Sequence, residues 1–214
     1  MDGLLFDTEA LYQQAFLEAA KLGGYDVSAD VIRLAIGMPW VRGRGLMLQQ
    51  LGEPFPIDEY YARMTDRFEA LSATELRLKP GVFELLDLLD DLDLPRAIAT
   101  SSAHETVGDH LSAHQLTHRF PVIIGHGDYR HSKPSPDPYL LAAERLATPA
   151  GFCLALEDSH NGVRSASAAG MMTIMVPDLV PPNAEISALC VLVAESLHEV
   201  AALVASSSAL RRRE

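Results

Sequence analysis

The sequence predicts an α/β fold: a parallel sheet covered by helices, interrupted near its start by an all-helical insert. Two observations carry this reading. From Lys79 onward short apolar runs alternate with helix-like stretches, the pattern of strands joined by helical crossovers. Residues 8–75 show helical spacing and no strand pattern. The 214 residues suit one large domain or a domain with a modest insert. With 48% hydrophobic and 21% charged residues, the balance is that of a soluble globular chain.

In chain order, LYQQAFLEAAKLG places Leu11, Ala15 and Leu22 in near-helical steps. SADVIRLAIG has Ser28 as a cap signal before an apolar stripe. VRGRGLMLQQLG and IDEYYARMTDRFEAL continue the helical pattern, with Pro54 and Pro56 between them. The composition changes between Ala73 and Pro80, which sets core segments at 1–7 and 79–214 and a helical insert at 8–78. PGVFELLDLLDDL then predicts a helix with Pro80 near its start, and PRAIATSS a short buried strand ending in hydroxyls. AHETVGDHLSAH reads as a helix, FPVIIG as a strand, and PDPYLLAAERLA as a helix opened by Pro136 and Pro138. GFCLALEDS is a strand ending in acids, HNGVRSASAAG a helix closed by Gly170, and MMTIMVP a strand. LCVLVA and SLHEVAALVASS supply the last strand and helix.

The formal charge of -12 disfavours nucleic acid and anionic membrane surfaces as partners. It allows a small anion held beside a local cation. Polar residues interrupt every apolar run, so no transmembrane span is expected, and the acidic start is unlike a signal peptide. Cys153 and Cys190 are the only cysteines; Cys153, in the run GFCLAL, reads as a buried core thiol in a reducing cytoplasm. A cytoplasmic monomer is the expectation.

In open α/β sheets ligands bind beyond the carboxyl ends of the strands. Two such ends carry chemistry-bearing residues: Thr100-Ser101-Ser102 after PRAIA, and Glu157-Asp158-Ser159 after GFCLAL; between them Lys133 sits in the loop HSKPSPDPY, just before a helix. The opening MDGLLFD adds Asp2 and Asp7 around Gly3. Carboxylates for a hard cation, with a hydroxyl and an ammonium for an anion, suit Mg²⁺ and a phosphoryl group. Each piece alone also suits a plain role. An acid pair after a strand serves as a loop or cap, Thr100 and Ser102 as helix caps, and Lys133 as a solvated loop residue. Lys133 is, however, one of three lysines in a chain that otherwise uses arginine.

The order DGLLFDTE, IATSS, SKPSPDPYLLAAERL, LEDSHNGVRSASAAGM resembles the haloacid dehalogenase superfamily, nearest its β-phosphoglucomutase-like phosphatase branch. The resemblance covers nearly the whole chain. It implies a Rossmann-like core with a helical cap inserted after the first motif, Mg²⁺ as cofactor, and small phosphorylated metabolites, sugar phosphates among them, as substrates. It implies that Asp2 acts as general acid and base and lends its carbonyl to the metal. Thr100 then holds a phosphoryl oxygen, with Ser101 beside it. Lys133 neutralises nucleophile and phosphate, Asp158 ligates Mg²⁺ with Glu157 as its neighbour in the metal shell, and Asp7 steadies the turn.

The departure is at the start. The family pattern puts a buried strand and a nucleophilic aspartate two positions before Asp2, which is before Met1. The expectation is that activity needs that aspartate and that residues 1–214 alone are inactive and poorly stable. A nucleophile-less module that binds phosphorylated metabolites is the alternative. In the cap, Arg42 and Arg44, with Trp40, are candidates to meet a distal anionic or sugar group; ordinary surface arginines are the competing reading. The mutases of the branch carry a cap histidine where this chain has Tyr12, which favours hydrolysis over a mutase, although a mutase stays open. Lys21 is the only cap lysine a phosphonatase would have, and the acid pair argues against halide-removing relatives. His110, His114 and His118 recur four apart and are expected to be solvated rather than to form a metal face.

Overall fold

The computed structural model describes residues 1–35 and 40–211, with side chains described outside 33–42 and 209–211. The chain divides into two compact units, one of Met1–Phe6 with Leu78–Glu214 and one of Asp7–Arg77.

Among the described residues, the second unit holds four helices: α1 (Thr8–Gly23), α2 (Ala29–Ala35), α3 (Trp40–Leu51) and α4 (Ile57–Glu75). α1 buries Leu11, Ala15 and Ala19, one residue per turn on one face. α4 answers with Tyr60, Met64, Phe68 and Leu71. The two helices are pinned where the Tyr60 hydroxyl donates to the Phe16 carbonyl at 2.9 Å. Tyr12 stacks on Phe68 with ring centroids 3.8 Å apart, so it packs inside the helical unit.

The first unit alternates as its sequence does. α5 (Val82–Asp91), β1 (Ala97–Ala99), α6 (His104–Ala113), β2 (Val122–Ile124) and α7 (Asp137–Arg145) come first. β3 (Leu154–Glu157), α8 (His160–Ala168), β4 (Met172–Met175), α9 (Ala184–Leu189), β5 (Leu192–Val193) and α10 (Leu197–Arg211) follow. Every strand pairing is parallel. α9 was not anticipated. Six residues are too few to show periodicity, and its signal is a local one: the Asn183 side chain caps it by accepting from Ile186 N–H at 2.9 Å.

The strands form two sets rather than one continuous sheet. β1 pairs with β2, and β3-β4-β5 pair among themselves. Among the described residues β1 and β3 each therefore have one strand neighbour. Two expectations about side chains are corrected. Cys153 is half-buried, not a core thiol, because it sits at the start of β3 beside an open cleft. His110 is buried. Its ring meets Phe6 edge-on at 5.4 Å, and His114 lies 5.6 Å from the same ring. These two histidines turn inward because the fully buried Phe6 side chain lies against their helix face.

Candidate active site

The opening turn is built on the Met1 carbonyl, which accepts from Leu4, Leu5 and Phe6 N–H at 3.3, 2.8 and 3.3 Å. Gly3 N–H closes the turn on the Phe6 carbonyl at 2.9 Å. Gly3 sits at φ +71, where a side chain is strained, and a Cβ there would run into the Asp158 carboxylate. The glycine thus lets the turn lie directly against the end of β3. Leu4 and Phe6 anchor it by burial, and Asp2 is left pointing at the end of β1. Asp2 Oδ2 accepts from the Ser102 hydroxyl at 2.7 Å, and Oδ1 is 3.9 Å from His110 Nδ1.

Thr100 directly follows β1. It is buried, and its hydroxyl accepts from Ser102 N–H at 3.1 Å, which curls the loop so that Ser102 reaches Asp2. Ser101 is exposed at the top of this curl.

Lys133 reaches in from the loop before α7. Its ammonium donates to the Ala99 carbonyl at 3.1 Å and to Glu157 Oε1 at 2.5 Å, and it lies 5.0 Å over the Tyr139 ring. One cation thus joins the carboxyl ends of β1 and β3. Glu157 also accepts from the Tyr139 hydroxyl and from the Ser159 hydroxyl at 3.1 Å. The same Ser159 oxygen caps α8 through Gly162 N–H at 3.2 Å. Gly162 is glycine for a reason of space, since a Cβ would overlap the Glu157 carboxylate. Burial acts to raise the Glu157 pKa, but Lys133, the Met1 amino group and the Tyr139 hydroxyl outweigh it and hold the carboxyl at about 2. Glu157 is an anion committed to Lys133.

Asp158 has the opposite balance. Burial, then the adjacent Glu157 charge, push its carboxyl up to about 7, against the pull of the Met1 amino group. A buried carboxylate short of positive charge is the kind of group a cation would ionise. Asp178 borders the same turn. Its Oδ1 accepts from Lys79 Nζ at 2.7 Å, while its buried Oδ2 has no hydrogen-bond partner. Among the described residues no group of three or more His, Cys, Asp or Glu is placed to hold a metal alone. The donors present are all oxygens, which suits Mg²⁺, an ion that keeps several waters and uses one or two carboxylates.

The structure therefore brings Asp2, Thr100, Lys133, Glu157 and Asp158 to one end of the parallel strands. The other candidates lie in the helical unit. Arg44 pairs with both Asp58 oxygens at 3.1 and 3.2 Å, the Arg42 side chain lies outside the described residues, and Asp7 opens α1, its N–H donating to the Arg77 carbonyl at 2.9 Å. Sequence reasoning missed Ser102 as the partner of Asp2, Tyr139 as a donor to Glu157, and the Lys79–Asp178 pair. The scarcity of lysine that singled out Lys133 applies equally to Lys79.

A parallel-stranded unit with acids, a hydroxyl and a lysine at the carboxyl ends of its strands, together with a separate helical unit, is the arrangement of a class of hydrolases. The family model of haloacid dehalogenase-like hydrolases matches residues 1–176, and the chain belongs to that family. Protein CbbY (plasmid) of Cupriavidus necator is 35% identical over 197 residues, covering 83% of this chain and 76% of that protein. The phosphorylated carbohydrates phosphatase of Thermotoga maritima is 29% identical over 174 residues, 81% of each chain. The crystal structure of CbbY from Rhodobacter sphaeroides in complex with phosphate superposes with a TM-score of 0.74 at 28% identity, covering 94% of this chain and 93% of that one.

Proposed function

We propose that the chain is a phosphoric monoester hydrolase acting on small phosphorylated metabolites, sugar phosphates in the first place, with Mg²⁺ as cofactor. The observation that carries this is the Lys133 ammonium held between the Ala99 carbonyl and the Glu157 carboxylate, at the strand ends where Asp2 and Thr100 also lie. Glu157 keeps the ammonium charged and aimed; Lys133 then offsets the charge of a phosphoryl group. The Thr100 hydroxyl and backbone hold a phosphoryl oxygen. Asp158 and the Asp2 carbonyl would hold Mg²⁺, which would supply positive charge to offset that of the phosphoryl oxygens. The nucleophile in this reading is an aspartate two positions ahead of Asp2, which attacks phosphorus in line and forms an aspartyl phosphate. Asp2, oriented by Ser102, gives its proton to the leaving oxygen and then takes one from the attacking water. The helical unit serves as the cap, and Arg42 and Arg44 are its candidates for recognising the distal part of the substrate.

The similarity to a phosphorylated carbohydrates phosphatase and to a CbbY that binds phosphate supports this reading. Its test is phosphate release from a panel of sugar phosphates by a chain that carries an aspartate in that position. Release with Mg²⁺ and none in excess chelator is expected. Turnover of a β-phosphohexose to its 6-phosphate without phosphate release would instead assign a mutase.

A further inference from the structure

α6 carries one polar ring into the interior of the first unit. Val107 and Leu111 are fully covered, as apolar side chains on the inner face of such a helix are. His110 is buried with them, only 5% exposed. Its Nδ1 is buried and has no hydrogen-bond partner. A buried polar atom left unpaired is costly, so a leucine would serve packing alone better. The ring instead faces a carboxylate. Nδ1 lies 3.9 Å from Asp2 Oδ1, and among the described residues Asp2 is the one acid within ion-pairing distance of that ring.

The surrounding groups hold the ring in that direction. Phe6, wholly buried, meets it edge-on at 5.4 Å, and Phe6 belongs to the same opening turn as Asp2. The Asp2 carboxylate is held at its other oxygen, where Oδ2 accepts from the Ser102 hydroxyl at 2.7 Å. A single donor leaves a carboxylate free to turn about its Cβ–Cγ bond, whereas a donor on each oxygen fixes its plane. The separation from His110 is roughly 1 Å longer than a hydrogen bond, and such a turn closes it without moving the backbone. His114 is the comparison within the molecule. It lies 5.6 Å from the same Phe6 ring, and its buried Nε2 also lacks a partner, but the contact to Asp2 belongs to His110.

We propose that His110 is a positioning residue for Asp2. Its Nδ1–H donates to Asp2 Oδ1 while the Ser102 hydroxyl holds Oδ2. Together they fix the carboxylate that gives a proton to the leaving oxygen and takes one from the attacking water. Nδ1 is a donor both in the neutral Nδ1–H tautomer and in the imidazolium, so the role needs no change of charge on His110. The consequence for turnover rests on the phosphatase reading; the bond between His110 and Asp2 does not.

The test uses the chain that carries the nucleophilic aspartate, with His110→Leu, His110→Asn and His114→Leu. Leucine fills the space and removes the donor, while asparagine sets an amide N–H near the place of Nδ1 and leaves a gap. His110→Leu is expected to lower kcat roughly 10–100-fold, the scale of a misplaced catalytic group, with KM changed by less than about twofold. His110→Asn is expected to keep more of kcat than His110→Leu although it melts lower, an order that packing alone would reverse. His114→Leu is expected to leave kcat within about twofold of the parent. In the same protein, nitrogen NMR of the imidazoles is expected to show a proton on His110 Nδ1 whose signal moves in Asp2→Ala. A His110→Leu variant as fast as its parent, kcat that simply follows thermal stability across the variants, or a His110 Nδ1 signal indifferent to Asp2→Ala would each overturn the proposal. A parent that releases no phosphate would fail the phosphatase reading instead, and the nitrogen signal would still decide the bond.

Discussion

Asp158 and Glu157 are neighbours with opposite electrostatic fates, and the contrast yields a pH prediction. The Glu157 carboxyl is lowered from 4.5 to about 2, so its stabilising contribution is complete above 4.5 and is lost as pH falls toward 2. The Asp158 carboxyl is raised from 3.8 to about 7, so its contribution is complete below 3.8 and is lost as pH rises through 7. Between pH 5 and 8 the Asp158 effect removes stability as pH rises, while burial holds the His110 imidazole below its usual value and adds stability in the same window. Asp158→Asn isolates the first effect: in urea titrations of metal-free protein it is expected to make the change of stability with rising pH less unfavourable than in the parent; an unchanged slope would remove the buried, uncompensated acid. Lys133→Ala strands Glu157 without its cation. Breaking a buried pair from one side costs about 3–5 kcal/mol, and removing a charge-stabilising donor costs about 100-fold or more in turnover. Lys133→Ala with Glu157→Gln should recover much of the stability and none of the turnover, measured by urea midpoint and phosphate release. Much of this was legible at residue level. Thr100 and the acid pair stand at predicted strand ends and Lys133 in the loop before a predicted helix, and alternation of strands and helices puts these together. The Tyr139 and Ser102 contacts were not legible, because they join residues 18 and 100 positions apart, beyond any local pattern.

At the scale of elements, α8 ties helix start to site. Ser159 caps it and bonds Glu157 with the same hydroxyl, so Ser159→Ala is expected to cost about 1 kcal/mol as a lost cap. Gly162 gives a sharper case. Gly→Ala inside an ordinary helix gains up to about 1 kcal/mol, but here the Cβ overlaps the Glu157 carboxylate. Gly162→Ala is expected to destabilise by about 1–3 kcal/mol, read from the urea midpoint; a gain in stability would show that Glu157 is not lodged against α8. The strands and long helices were found from apolar runs and caps. The inward turn of His110 and His114 was not, since four-residue spacing says which face they share but not which way that face points. Only the Phe6 ring against them settles it.

At the scale of the molecule, the chain leaves the α/β unit after Phe6 and returns at Leu78. The two crossings are paired: Asp7 N–H donates to Arg77 at 2.9 Å, and Lys79 N–H to Leu5 at 2.9 Å. The helical unit carries its own buried face, including Tyr60 and Phe16. Replacing Asp7–Arg77 by a short Gly/Ser linker is therefore expected to leave a cooperative α/β unit, and circular dichroism melts of the two forms would show it; a non-cooperative melt would mean the unit depends on its insert. The change between all-helical and alternating patterns falls between Ala73 and Pro80, and the chain returns to the α/β unit at Leu78. The split of the sheet followed only from the resemblance, which puts a buried strand ahead of Met1; no local pattern shows it, because pairing between strands is a long-range property.

The central claim is that the strand-end cluster transfers phosphoryl groups. The most direct measurement is phosphate release from sugar phosphates by a chain extended with an apolar strand and an aspartate immediately before Met1, alongside its Asp2→Asn variant, with Mg²⁺ and with excess chelator. The account predicts release that needs Mg²⁺ and falls about 100-fold or more in Asp2→Asn, the scale of a lost general acid–base. Release that persists in chelator, or an Asp2→Asn variant as fast as its parent, would contradict it.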